Sequence, residues 1–162
     1  MPKIGWMKPG AGRLSIDSNR GGHVIPIVFL DANVLFTAAH NPSGKSALIV
    51  ELGTKGQWQT TTSTLAAEEA RRNLDIHFPA CIPDLELLLR GIKVVSSVSG
   101  PSCPIDLPKK DQPIFLTALK CRATHLLTGD IRHFGPFMKD PSKTVGMTIM
   151  TVADFLSSRS EK

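Results

Sequence analysis

Apolar positions along this chain alternate between unbroken runs and helical spacing. Val24, Ile25, Ile27, Val28, Phe29 and Leu30 form a near-continuous apolar run rich in β-branched residues. That pattern predicts a parallel strand buried on both faces. Pro26 has no N–H to donate, so it belongs at an early position of this strand. After a loop at Asn41 to Gly44, Ser46 to Leu52 places apolar residues at helical spacing, and Trp58 to Thr62 reads as a short strand. Ser63 or Thr64 can cap a helix reaching about Leu74, because a hydroxyl there accepts from the orphan amides of the first turn. Pro83 opens a helix over Asp84 to Arg90 that Gly91 stops, and Ile92 to Val98 returns to strand character.

A Pro-rich loop from Gly100 to Lys110 leads into a helix over about Pro113 to Arg122, where Ile114, Phe115, Ala118 and Leu119 share one face. Ala123 to Thr128 reads as a strand, Ile131 to Lys139 as a loop with one helical turn, Met147 to Met150 as a last strand and Val152 to Ser158 as a closing helix. Strands and helices alternate throughout, which predicts a three-layer α/β/α sandwich around a mostly parallel sheet. Residues 23–158 form that domain. Residues 1–22, with glycines, prolines and scattered basic residues but no sustained apolar period, read as an irregular extension.

At 162 residues the chain suits one domain, a size that buries roughly 70% of the surface exposed when unfolded. The three cysteines, Cys81, Cys103 and Cys121, are odd in number and far apart, which suggests neither a disulfide framework nor a zinc site. No apolar run approaches the roughly 20 residues of a membrane span, so a cytoplasmic protein is expected. The net charge of +5 favours polyanionic partners without specifying a chemistry.

Ligands of open parallel sheets bind outside the carboxyl ends of the strands. Asp31 ends the first strand in Phe29-Leu30-Asp31-Ala32-Asn33, and Asp130 ends the fourth in Leu126-Leu127-Thr128-Gly129-Asp130. Asp111 stands just before a helix, where a plain capping role competes with a ligand role. The helix after the second strand carries Glu68 and Glu69, and periodicity alone does not choose between them. Carboxylates from four separated segments at one sheet end repel unless cations neutralise them. Hard oxygen ligands of this kind suit Mg²⁺ or Mn²⁺.

These residues resemble the PIN domains, which include the VapC-type toxin ribonucleases of toxin–antitoxin pairs. Leu30-Asp31-Ala32-Asn33-Val34-Leu35 is similar to the family's first motif, and Thr62-Ser63 through Glu69-Ala70-Arg71-Arg72-Asn73-Leu74 to its second. Lys110-Asp111-Gln112-Pro113-Ile114 resembles the third, and Leu127-Thr128-Gly129-Asp130 with the trailing His133-Phe134 the fourth. The resemblance covers about residues 25 to 157, rests on order and spacing, and favours Glu69 over Glu68. Ala32 stands where the family commonly has Thr.

The resemblance implies that Asp31, Glu69, Asp111 and Asp130 hold Mg²⁺ or Mn²⁺ for hydrolysis of RNA phosphodiesters. It implies further that Asn33, Ser63 and Thr128 orient the carboxylates or hydrogen-bond the phosphate, although each equally suits an ordinary turn or cap. Arg71, Arg72, Lys109, Lys110 and Arg132 lie beside the acids in sequence, where they could meet RNA phosphates, although each also suits a solvated surface. His133 could meet phosphate or assist proton transfer, although a lone His beside Phe134 also suits a packing or hydrogen-bonded role. RNA, an antitoxin protein and a second copy of the chain are the implied partners; a catalytically silent PIN-like RNA-binding or assembly module is the alternative. Asn41-Pro42-Ser43-Gly44-Lys45-Ser46 is no phosphate loop, because Ala39 occupies its first glycine position and the loop does not directly follow its strand.

Overall fold

The computed structural model describes residues 24–160; the expected extension over 1–22 lies outside them. The central strand β1 spans Ile27–Leu30, and Val28, Phe29 and Leu30 are wholly buried. It starts one residue after Pro26, whose carbonyl accepts from the Gln59 amide at 2.9 Å. Val24 and Ile25, expected in this strand, precede it and are exposed. The other strands are β2 (Gln59–Ser63), β3 (Lys93–Val95), β4 (His125–Leu127) and β5 (Thr148–Met150). Every pairing among them is parallel, in the order β3-β2-β1-β4-β5. The expected mostly parallel sheet is therefore wholly parallel among the described residues.

The helices are α1 (Ala32–His40), α2 (Lys45–Thr54), α3 (Thr64–His77), α4 (Ile82–Leu89), α5 (Gln112–Lys120), α6 (Ile131–Phe134) and α7 (Val152–Ser160). α1 was not expected from the pattern; it fills the stretch between the first strand and the Asn41 loop. Ser63 caps α3 by accepting from the Ala66 amide at 3.1 Å. Trp58, assigned by its pattern to the second strand, instead precedes it. Its indole is buried and donates to the Ile49 carbonyl at 3.0 Å.

Parallel crossovers are right-handed. The chain moves from β1 to β2 to β3 in one direction, so α1 to α4 fall on one face, where α1 packs against α2, α3 and α4. It then returns across the sheet to β4, which puts α5 on the opposite face. The direction of winding reverses between β1 and β4, and at such a switch point the connections part and leave a crevice above the strand ends. Asp31 follows β1 and Thr128 follows β4, so both stand at that crevice. No helix among the described residues is long and apolar enough to cross a membrane.

Val145 holds a left-handed φ of 56° although its side chain is β-branched and 65% exposed. That conformation costs roughly 1–2 kcal/mol, and asparagine tolerates it better. Val145→Asn is expected to stabilise the protein by about 1 kcal/mol, a rise in Tm of about 3 °C in a thermal melt. An unchanged or lower Tm would show that the strain is relieved elsewhere.

Candidate active site

Asp31 caps α1 from an extended backbone, with φ −73° and ψ 164°. Its Oδ1 accepts from the Ala32 amide at 2.7 Å, and Oδ2 accepts from the Thr128 hydroxyl at 2.7 Å and the Asn33 amide group at 3.2 Å. Only 6% of the residue is exposed. Burial pushes its pKa from 3.8 up to about 6, against the hydrogen bonds of Thr128 and Ala32, and the charges of Glu69 and Asp111 add to the rise.

Asn33 ties the two strand ends together, since its Oδ1 accepts from the Gly129 amide at 2.7 Å while its Nδ2 donates to Thr128 Oγ1 at 3.2 Å. A Cβ at position 129 would come 3.3 Å from that Oδ1, so glycine lets the turn approach closely. Thr128 is fully buried and accepts in addition from the Asp130 amide at 3.1 Å. One hydroxyl thus links Asp31 to the backbone that carries Asp130.

Asp130 caps α6, its Oδ1 accepting from the His133 amide at 3.1 Å while Oδ2 lies 2.8 Å from His133 Nδ1. Ionised carboxylates only accept, so Nδ1 carries the ring proton. Burial raises the Asp130 carboxyl, but the hydrogen bonds and charge of His133, with Lys110, outweigh it and hold the group below its ordinary value.

Asp111 precedes α5 with φ −95° and ψ −14°, and its side chain makes no capping bond. The capping alternative therefore fails for this residue. Its Oδ2 is buried with no hydrogen-bond partner; His133 Nδ1 is 3.2 Å away but outside hydrogen-bonding geometry. Burial pushes this carboxyl up, Lys110 opposes the rise, Asp130 adds to it, and His133 opposes it.

Asp111, Asp130 and His133 each present a ligand atom within 4.8 Å of the others. Asp31 is not in that trio, although its carboxyl feels the charge of Asp111. Glu69 and Glu68 are both exposed on α3. The charge of Glu69 acts on Asp31, whereas that of Glu68 acts on Arg71. Ser63 is engaged as the α3 cap, its hydroxyl accepting from the Ala66 amide.

Among the flanking cations, Lys110 acts on both Asp111 and Asp130. Lys109, Arg72 and Arg132 are exposed. Arg71 donates to Glu86 at 2.7 and 3.3 Å, across from α3 to α4, and is thus already paired. His133, which its sequence suits to phosphate contact, proton transfer or packing, presents its Nδ1 to the carboxylates of both Asp111 and Asp130. Its position three residues after Asp130 on one helical turn was the available signal.

By sequence, the chain matches no family model and no curated protein. By structure, it matches VapBC2 from Rickettsia felis, crystallised with a DNA fragment from their promoter. The TM-score is 0.54 and the identity 14%, over 76% of this chain and 96% of that one. PAE2754 from Pyrobaculum aerophilum matches with a TM-score of 0.54 and 17% identity, over 85% of this chain and 91% of that one. The fold is PIN-like. The PIN-like fold expected from the sequence is therefore the one observed, and the group Asp111, Asp130 and His133 stands at the switch point of its sheet.

Proposed function

We propose that this chain is an endoribonuclease dependent on Mg²⁺ or Mn²⁺. The observation that carries the reading is the buried Oδ2 of Asp111, which accepts no hydrogen bond, beside Asp130 and His133. Leaving a buried carboxylate oxygen without a partner is costly, and a hard divalent cation removes that cost. The donor set fits: carboxylates predominate, and two of them are held in positions that disfavour their own charge.

Asp111 and Asp130, with Asp31 and Glu69, would hold the ions. When bound, such ions polarise the scissile phosphodiester and lower the pKa of a water that attacks it. Asn33 and Thr128 fix the direction in which Asp31 points. Lys110, with Lys109, Arg72 and Arg132, offers charge to the RNA backbone. An antitoxin partner and pairing of two copies of the chain belong to this proposal through the resemblance to toxin ribonucleases.

The test is a cleavage assay on single-stranded RNA and DNA with Mn²⁺, Mg²⁺ or EDTA. RNA cutting that requires the metal is expected, together with a Mn²⁺-dependent rise in Tm. Cutting that persists in EDTA would overturn the metal role. Glu69→Gln is expected to slow cleavage about tenfold, while Glu68→Gln leaves it unchanged. The reverse result would move the fourth ligand one position along α3.

A further inference from the structure

A cavity of about 420 Å³ opens on the α5 face of the sheet, between α5 and the β2–β3 edge. It is separate from the acidic group, with which it shares no residue: Asp111 precedes α5, whereas Lys120 and Cys121 border the cavity at that helix's other end. On α5 the lining residues Thr117 and Lys120 stand about 9 and 13 Å of helical rise from Asp111.

The chemistry of the lining is one-sided. Lys93 and Lys120 both border the cavity, both are exposed, and neither forms an ion pair among the described residues. Burial pushes the Cys121 thiol up while the charges of both lysines oppose it. No aspartate or glutamate lines the cavity. Thr61, also part of the lining, is 1% exposed, and its hydroxyl has no hydrogen-bond partner. Buried hydroxyls are ordinarily satisfied, so an orphan beside a cavity points to a partner supplied from outside the chain. Gln59 adds an exposed amide, and Val95 and Val98 give apolar wall.

We propose that this cleft is a binding site for a small phosphate monoester of about nucleotide size. Two unpaired ammonium groups match a doubly charged head, and the hydroxyl and amide groups offer it donors. The apolar wall receives an organic body, and the volume lies in the usual range for small-ligand sites. The proposal is independent of the nuclease reading, because none of the four acids takes part.

The experiment is isothermal titration of the full chain in EDTA with AMP, ribose 5-phosphate, adenosine and inorganic phosphate. Saturable binding of AMP or ribose 5-phosphate is expected, with adenosine and inorganic phosphate at least about tenfold weaker. The double variant Lys93→Gln, Lys120→Gln should lose at least about tenfold in affinity, and the charge-matched Lys139→Gln, Lys143→Gln should lose none. Thr61→Val should weaken binding severalfold without lowering Tm, since it removes an unsatisfied hydroxyl. Absence of saturable binding by either ester would overturn the proposal. So would equal losses in both double variants, which would mean general attraction to a basic chain, or binding lost in Asp111→Asn, which would move the ligand to the acidic site.

Discussion

Asp31→Asn is expected to lower Mn²⁺-dependent RNA cleavage on the order of 10³-fold while leaving the fold intact and the metal-free protein somewhat more stable. The stability gain follows from linkage. Folded Asp31 keeps its proton up to about pH 6, whereas an unfolded aspartate releases it near 3.8. Between those values the folded state holds more protons, so the Asp31 contribution to stability is fully present below the lower value and is lost as pH rises through the upper one. The ionised group then costs up to about 3 kcal/mol at neutral pH. Asparagine removes that cost but returns part of it. Its amide would face Thr128 Oγ1, which already accepts from Asn33 and from the Asp130 amide. A net gain of about 1 kcal/mol in EDTA is therefore expected at about pH 7, shrinking towards about pH 4.5. Mn²⁺ should stabilise the wild type more than the variant. A variant that cuts at the wild-type rate would remove Asp31 from the metal site.

What was legible in the sequence was whatever rests on local pattern. The run Ile27 to Leu30 marks a strand buried on both faces, and the acids after β1 and β4 are recognisable because a charge directly after such a strand is costly without a partner. α1 is also encoded locally: Asp31 is a good cap, and Val34, Leu35, Ala38 and Ala39 recur at helical spacing with no breaker before Pro42. Other features depend on the fold itself. Arg71 and Glu86 are 15 residues apart and meet only because α3 and α4 pack together. Whether Asp111 caps its helix depends on a backbone angle that composition does not encode. His133 reads as a lone histidine until the turn after β4 brings it against the start of α5, 22 residues upstream in the chain. Thr61 lies in a stretch that reads as a strand, but the sequence does not show that its hydroxyl lacks a partner.

Thr128→Val is expected to slow cleavage by about 10- to 100-fold, a loss typical of groups that orient metal ligands, and to move its pH dependence. The two side chains have nearly the same shape, so the change removes one hydroxyl from a fully buried position. Asp31 Oδ2 loses its 2.7 Å donor, and the Asp130 amide loses its acceptor. Leaving such buried groups unsatisfied costs about 1–3 kcal/mol. Burial is the main force raising the Asp31 carboxyl and the Thr128 hydrogen bond the main one opposing it, so without that bond the proton is held to still higher pH. A metal-binding role under the proposed function needs Asp31 ionised. The rising limb of the pH–rate profile should therefore shift to higher pH in the valine variant, and part of the lost activity should return under alkaline conditions. Thr128→Ser keeps the hydroxyl and should keep the wild-type profile, which separates this positioning effect from a packing defect. If valine lowers the rate equally at every pH and serine does the same, Thr128 serves the fold alone and the hydroxyl link between the two strand ends has no part in the chemistry.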